Sequence, residues 1–224
     1  MLQLPGADNA QAAPVRPARP GVLTIWVTSP GEPRPCLLAD LVARVAERHH
    51  LRASVAGPAP ADWMALNVHP AGVSAGPPEP LDVAVGSGDG AAGSPGYWIR
   101  PGEGRPPGPG LTALDPLALR LALLRCPYRA DADLTPDDLK AAEETLQHWR
   151  TLVAHYALSP SKPMCAQYTG DFLGALDDDL DTPAALRTLS ALAADQAIPD
   201  GSKFETFAHA DRFLGLDLVR NVGR

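Results

Sequence analysis

The chain has 224 residues, 45% of them apolar, and a formal net charge of −7. This length suits one large domain or two small ones, and no stretch approaches the roughly 20 consecutive apolar residues of a membrane helix. Residues 1–130 carry 11 basic against 10 acidic side chains, whereas residues 131–224 carry 8 against 16. Because nucleic-acid binders present basic faces to phosphates, the acidic second half argues against tRNA or other RNA as a partner.

The first 21 residues are rich in proline and alanine and contain no continuous apolar run. They therefore lack the apolar core of a secretory signal. We expect residues 1–21 to form a disordered tail, and we expect the protein to be cytoplasmic.

The next part of the chain predicts a small α/β domain. Residues 22–28 are β-branched and aromatic and precede Ser29-Pro30, which is typical of a strand. Residues 36–50 have apolar side chains at helical spacing, and residues 51–56 and 81–86 are further candidate strands. Strand, helix and strand in this order indicate a βαβ unit.

Helices dominate after residue 114. Asp115-Pro116, Thr135-Pro136 and Thr182-Pro183 each combine an N-cap oxygen with a proline in the first helical position. The sequence predicts five helices, which we expect to form a helical bundle, over 116–126, 136–156, 166–179, 183–194 and 202–214.

The three cysteines lie far apart and form no Cys-x-x-Cys pair. This spacing argues against a disulfide framework and against a structural zinc site. Cys126 is predicted to be a small buried hydrophobic residue, and the same interpretation is weaker for Cys36 and Cys165.

Two segments in the helical part resemble the cysteinyl-tRNA synthetase family. Asp115-Pro-Leu-Ala-Leu-Arg-Leu-Ala-Leu-Leu124 resembles that family's D-P-x-A-L-R-x-x-L-L segment. Leu176-Asp-Asp-Asp-Leu-Asp-Thr-Pro-Ala-Ala-Leu186 resembles its A-L-x-D-D-L-N-T-P-x-A-L segment. The chain resembles equally closely the mycothiol-pathway ligase that joins cysteine to an amino sugar, which has the same architecture. Both segments occur in the family's order and at the family's distance.

Weaker matches occur in the first half. Trp26-Val-Thr-Ser-Pro30 resembles the family's Y-V-C-G-P strand end, Asp82-Val-Ala-Val-Gly-Ser-Gly-Asp89 resembles D-I-x-x-G-G-x-D, and Tyr97-Trp98 resembles a later Y-W pair. The resemblance implies a class I synthetase-like architecture of three parts: a disordered tail over 1–21, a reduced Rossmann-like remnant of the catalytic domain over 22–110, and a helical bundle of the cysteinyl-tRNA synthetase type over 111–219.

The family's reactive motifs are absent from the sequence. Residues 30–35 replace the H-I-G-H turn, and Ile99 to Gly110 replace the K-M-S-K-S loop and contain no lysine. Thr28 stands at the position of the first zinc-binding cysteine, and the H-H-E segment after Asp89 is missing. The family binds ATP and zinc through these motifs. Because the motifs are missing, we expect neither cofactor, no metal ligands and no catalytic residues here. Thr28, Asp89 and Trp98 are the possible residual substrate-site residues.

Other polar clusters have plainer interpretations. His49-His50 ends a helix, where cations favour the helix dipole, and metal binding would need further ligands. The aspartates at 177–179 and 181 could attract Mg²⁺, but we expect a solvated helix junction capped by Thr182. Gly86-Ser-Gly-Asp-Gly90 is better explained as a turn than as a phosphate-binding loop, because no lysine lies near it.

Three functional hypotheses follow from this sequence. The first is a catalytically inactive pseudoenzyme that acts through protein contacts as an accessory or regulatory subunit. The second is a surviving ATP-dependent cysteine ligase, of the synthetase or the cysteine–glucosaminyl-inositol ligase type, with a divergent active site. The third is a tRNA-binding accessory, which the acidic second half disfavours. We expect a protein partner and no membrane association.

Overall fold

A computed structural model describes residues 1–8, 10–59, 63–87, 95–103 and 114–224 of the chain. The chain divides into two compact units. The first unit contains the described residues up to 103, together with Tyr128–Ala132 and Leu176–Leu180. The second unit contains the remaining helical residues. The predicted boundary at residue 110 lies outside the described residues.

The first unit is built on a parallel sheet. Its elements in chain order are β1 (Gln3–Pro5), β2 (Ala12–Pro14), β3 (Val22–Val27), α1 (Pro33–Arg48), β4 (Arg52–Gly57), a short 3₁₀ turn (Met64–Leu66), β5 (Gly72–Val73), β6 (Val83–Val85) and β7 (Tyr97–Ile99).

The five strands β3 to β7 form one sheet in the order β5-β4-β3-β6-β7, and every neighbouring pair is parallel. The predicted α/β class and the strand–helix–strand unit are confirmed. The chain runs outward from β3 through β4 to β5, and then returns to β6 on the other side of β3. The strand order therefore reverses between β3 and β6, and the crevice beyond the carboxyl ends of two such strands is where open α/β sheets bind ligands.

Apolar side chains explain how α1 and the sheet are held together. Leu23, Ile25 and Val27 of β3 are buried, and so are Leu41 and Val45 of α1. A run that is apolar except for Thr24, as in β3, is typical of a parallel strand that is covered on both faces. Helix α1 begins three residues before its predicted start, because Pro33 is well suited to the first helical position.

The predicted disordered tail is replaced by ordered structure. Strands β1 and β2 pair in antiparallel fashion, with Leu4 opposite Ala13. Leu2, Leu4 and Val15 are buried to 5% exposure or less. The tail was misjudged because its apolar residues are isolated between prolines and alanines, so their burial comes from contacts with distant parts of the first unit.

The second half of the chain contains the five predicted helices, each with ends within two residues of the prediction: α2 (Pro116–Arg125), α3 (Pro136–Tyr156), α4 (Ala166–Asp177), α5 (Thr182–Ala194) and α6 (Asp200–Leu214). That these helices form a bundle of the synthetase type stays a prediction. No helix in the described ranges combines the length and the apolar character needed to cross a bilayer.

Two of the three predicted helix caps are observed. Asp115 accepts a hydrogen bond from Leu117 N, and Thr135 forms a reciprocal capping box with Asp138. The third prediction is wrong, because Asp181 caps α5 by accepting a bond from Ala184 N. Thr182 instead donates its hydroxyl proton to Leu124 O at 2.7 Å and is buried.

Candidate functional site

The carboxyl ends of β3 and β6 bring together polar groups that are far apart in sequence. Thr28 and Ser29 follow β3, and Gly86 and Ser87 follow β6. The hydroxyl oxygens of Ser29 and Ser87 lie 3.2 Å apart. Because this is where the strand order reverses, the edge formed by these four residues, hereafter the carboxyl edge, is the candidate site.

Thr28, a possible residual substrate-site residue, lies in this edge and is half-buried. Its hydroxyl lies 3.4 Å from Val85 O and 3.2 Å from Ser87 O, both of which accept hydrogen bonds. Gly86 has a φ of +138°, and a Cβ atom there would lie 2.1 Å from the Thr28 hydroxyl oxygen. The segments that follow β3 and β6 approach so closely that only glycine fits at position 86.

Trp98, another possible substrate-site residue, lies on β7. Its indole N–H donates to Gly86 O at 3.3 Å, and its ring joins an apolar cluster with Trp26 and Leu81. The Arg100 guanidinium lies over the ring, 4.5 Å from its centroid. With 7% exposure, Trp98 is explained by packing and by one hydrogen bond.

Thr28 and Trp98 therefore both form hydrogen bonds to the turn at Gly86–Ser87. Asp89, the third predicted residue, lies outside the described residues, as does most of the segment that replaces K-M-S-K-S. Ser29, Ser87 and Arg100 were not predicted as site residues. Their signal in the sequence was positional, because Arg100 directly follows β7, and Ser29 and Ser87 lie two residues beyond the ends of β3 and β6.

The start of α1 borders the same edge. Glu32 is the N-cap residue but makes no side-chain capping bond, and its N–H donates to Ser29 O at 3.2 Å. The Pro30 carbonyl accepts from the Trp63 indole at 3.1 Å and from the Cys36 thiol at 3.5 Å. These contacts fix the turn at residues 30–35, which the resemblance places at the position of H-I-G-H.

The guanidinium of Arg34, in the first turn of α1, is bonded to main-chain carbonyls. It donates to Gly102 O at 2.9 Å and to Ala130 O at 2.7 Å, and the residue is 4% exposed. Arg34 thus joins α1 to two loops of the first unit. A cation held in this way serves packing, since three main-chain carbonyls, including that of Glu103, take up its donors.

The residues at the carboxyl edge do not fit zinc. A zinc site needs about four ligands, usually thiolates or imidazoles, and Thr28 supplies a hydroxyl that is already bonded. Cys36 is buried, and burial raises the pKa of its thiol to about 11. Within the described ranges, no group of three or more His, Cys, Asp or Glu side chains could hold a metal ion.

The prediction for the cysteines is reversed in part. Cys36 is the buried thiol, whereas Cys126 and Cys165 are half-buried. Cys126 lies at the end of α2, where its thiol lies 3.7 Å from Ala122 O. Helical spacing indicated the buried face, but Cys126 is the C-cap residue and leaves that face.

The expected solvated junction at the end of α4 is found in part: Asp178 and Asp181 are exposed, whereas Asp177 and Asp179 are half-buried and paired. Asp177 accepts from Arg48 and from His49 Nε2, the latter at 2.6 Å. Asp179 accepts from the Tyr128 hydroxyl at 2.6 Å and from the Arg129 guanidinium at 2.7 Å. Arg48 and His49 lie at the end of α1. The other members of these pairs come from the segments Tyr128–Ala132 and Leu176–Leu180, which belong to the first unit.

These ion pairs also shift pKa values. Burial alone would raise the pKa of Asp177, but hydrogen bonds from His49 and Arg48 outweigh it and lower that pKa below its ordinary value of 3.8. Burial and the hydrogen bond to Asp179 raise the pKa of Tyr128. The run therefore anchors structure through charge pairing, and His49 is accounted for by Asp177.

The residues that carry the family resemblance in α2 also have structural roles. Asp115 caps α2, and its other oxygen accepts from Arg150 and from Arg220, at 2.6 Å each. Arg120, fully buried, donates from Nε to Leu214 O at 2.5 Å. The D-P-x-A-L-R segment therefore holds the residues after α6 in place.

Part of the chain is similar in sequence to proteins named as cysteine ligases. No family model matches the chain. Several curated relatives carry the name L-cysteine:1D-myo-inositol 2-amino-2-deoxy-alpha-D-glucopyranoside ligase. The resemblance noted from the sequence is confirmed to this extent, and the loss of segments relative to a synthetase stays a prediction.

Three relatives show the extent of the similarity. The protein from Nakamurella multipartita is 39% identical over 106 residues, which is 47% of this chain and 24% of the relative. The protein from Gordonia bronchialis is 43% identical over 89 residues, or 40% of this chain and 21% of the relative. The protein from Thermobispora bispora is 44% identical over 80 residues, or 36% and 19%. The matched part thus spans a quarter or less of these relatives.

Proposed function

We propose that this chain is an ATP-dependent cysteine ligase of the cysteine–glucosaminyl-inositol type with a divergent active site at the carboxyl edge. The observation that carries the proposal is the 39–44% identity to ligases whose name specifies cysteine and an amino sugar. The match covers under half of the chain, so activity and substrates are inferred from similarity alone.

The geometry of the first unit supports this location. A parallel sheet whose strand order reverses between β3 and β6 offers a crevice at that point. Ser29 and Ser87 present two hydroxyl groups there, 3.2 Å apart. Each hydroxyl can both donate and accept a hydrogen bond, as recognition of an amino acid requires.

Cysteine-dependent exchange of pyrophosphate into ATP tests the proposal, with the amide product sought by mass spectrometry when the amino sugar is added. The variant Ser29→Ala/Ser87→Ala should reduce the exchange rate at least about tenfold, as the loss of positioned hydrogen bonds does. Ser74→Ala is the matched control, because Ser74 is exposed and its hydroxyl donates to the nearby Gly76 O. Absence of exchange, together with no heat of binding for cysteine or ATP, would contradict the proposal.

A second candidate is a non-catalytic protein that acts through protein contacts. One observation favours it. The resemblance assigns the position of Thr28 to a zinc-binding cysteine, but the Thr28 hydroxyl donates to main-chain carbonyls. A site of this kind has lost the thiolate with which zinc would be held.

Affinity capture from native lysate tests this candidate, with both proteins and RNA identified. The expected result is one recurrent protein that also binds the purified chain in a two-component titration. Recovery of tRNA with a salt-dependent affinity would instead favour the RNA-binding alternative. Recovery of the bait alone, in a protein that performs the exchange reaction, would reject the candidate.

A further inference from the structure

We infer that the start of helix α1 excludes phosphate, so that a ligand at the carboxyl edge meets this helix with a neutral or a cationic group. The inference rests on the proposed function only in taking the carboxyl edge as the site. It specifies which part of that site does not hold the phosphates of a nucleotide.

The first argument concerns hydrogen-bond donors. A helix normally presents four N–H groups at its start, from the N-cap residue to the third helical residue, and these groups bind anions. In α1 the N-cap donor, Glu32 N–H, is bonded to Ser29 O. Pro33 and Pro35 occupy the first and third helical positions and have no N–H. At most one donor, that of Arg34, remains for a ligand.

The second argument concerns charge. The exposed carboxylate of Glu32 stands at the N-cap position without a capping bond. Its negative charge offsets the positive end of the helix dipole and repels a phosphate. The cation in this turn, Arg34, is buried and donates to the carbonyls of Gly102 and Ala130. Turning it toward a ligand would break the hydrogen bonds to both carbonyls.

The third argument concerns rigidity. The Pro30 carbonyl receives bonds from Trp63 and from Cys36, so two distant contacts hold the turn in this conformation. A phosphate therefore cannot recruit donors by a small local change. An ammonium or hydroxyl group meets no such obstacle, because Glu32 can accept a hydrogen bond from either.

Amide NMR spectra during a pyrophosphate titration test the inference at the atoms concerned. The probes are the N–H signals of Gly31, Glu32, Arg34 and Cys36, and the wild-type chain should show no saturable shift at about 10 mM pyrophosphate, which would nearly saturate a site with a Kd of about 1 mM. Saturable shifts at these amides in the wild type would overturn the inference.

A variant that restores N–H donors to the start of α1 is expected to gain pyrophosphate binding. Glu32→Ser/Pro33→Ala/Pro35→Ala adds a capping hydroxyl and two N–H groups, and it should gain saturable shifts that weaken with salt. Glu32→Ser alone, which changes only an exposed side chain, should gain a smaller response and serves if the triple variant is unstable. No gain in either folded variant would also overturn the inference.

The exchange assay separates this inference from the proposed function. Exchange activity without shifts at the α1 amides supports the inference and places the phosphates elsewhere in the chain. Shifts at these amides in a protein without exchange activity overturn the inference, whatever the fate of the proposed ligase.

Discussion

Asp115 and Arg150 form an ion pair in the second unit, with a carboxylate oxygen 2.6 Å from a guanidinium nitrogen. The Arg150 side chain is 1% exposed, and it also donates to Leu216 O and Asp217 O. One residue thus joins the start of α2 to the segment after α6. Because an isolated charge is costly to bury, each member of this pair depends on the other.

Asp115→Ala is expected to lower the free energy of unfolding by about 3–5 kcal/mol, because it leaves the buried Arg150 charge without its carboxylate and removes the α2 cap. Urea denaturation measures the change. Asp181→Ala is the matched control: it removes the exposed cap residue of α5 and should cost only about 1 kcal/mol. Equal losses in the two variants would show that the ion pair contributes nothing beyond capping.

Acid should destabilise the protein partly through Asp177. Hydrogen bonds from His49 and Arg48 overcome the opposing effect of burial and lower the pKa of Asp177 in the folded state below 3.8. A lowered folded-state pKa gives stability that is present above the unfolded-state value and is lost as the pH falls through the folded value. The Asp177 contribution is therefore lost below about pH 4.

Asp177→Asn should be less stable than wild type at pH 7 and should lose less further stability between about pH 4 and pH 2. The measurement is chemical denaturation at a series of pH values. The basic groups that contact Asp177 are the Met1 amino group, Arg48 and His49. Asp171→Asn, at an exposed position of the same helix, should keep the wild-type slope.

The thiol of Cys36 should be the slowest of the three to react. Burial raises its pKa from 9.0 to about 11, which lowers the thiolate fraction about 100-fold at pH 8. Mass-spectrometric mapping of iodoacetamide labelling over time should therefore show Cys126 and Cys165 modified first. In urea all three should react alike, and rapid labelling of Cys36 in the folded protein would contradict its burial.

Gly86→Ala should destabilise the first unit by about 2–3 kcal/mol. The residue has a positive φ, and the added Cβ would approach the Thr28 hydroxyl to 2.1 Å. Thermal denaturation measures the loss. Gly174→Ala, in an exposed position of α4 with open space around it, should instead stabilise by about 0.5–1 kcal/mol. A neutral Gly86→Ala variant would indicate that Thr28 moves freely.

The candidate site was predictable only in part. Thr28 and Trp98 were found because they align with family motifs, and the structure brings both to the turn at Gly86–Ser87. Ser29 and Ser87 were not found, because their proximity depends on β3 and β6 being neighbours across 58 residues of sequence. No local pattern encodes that pairing.

The sequence by itself determined the helices and the strands of the sheet's centre. Proline and cap residues act within one helical turn, so Asp115-Pro116 and Thr135-Pro136 located two helix starts without tertiary information. Continuous apolar runs did the same for β3 and β6.

Only the tertiary structure decided which groups are buried and paired. Asp177 is joined to Met1 across 176 residues and Asp115 to Arg220 across 105, and the apolar residues of β1 are covered in the same unit. The neighbouring residues in sequence do not show whether a charged residue or a leucine lies in a tail, a loop or a core. Its burial is fixed by side chains that arrive from elsewhere in the chain, and that is why the tail, the aspartate run and the buried cysteine were misjudged.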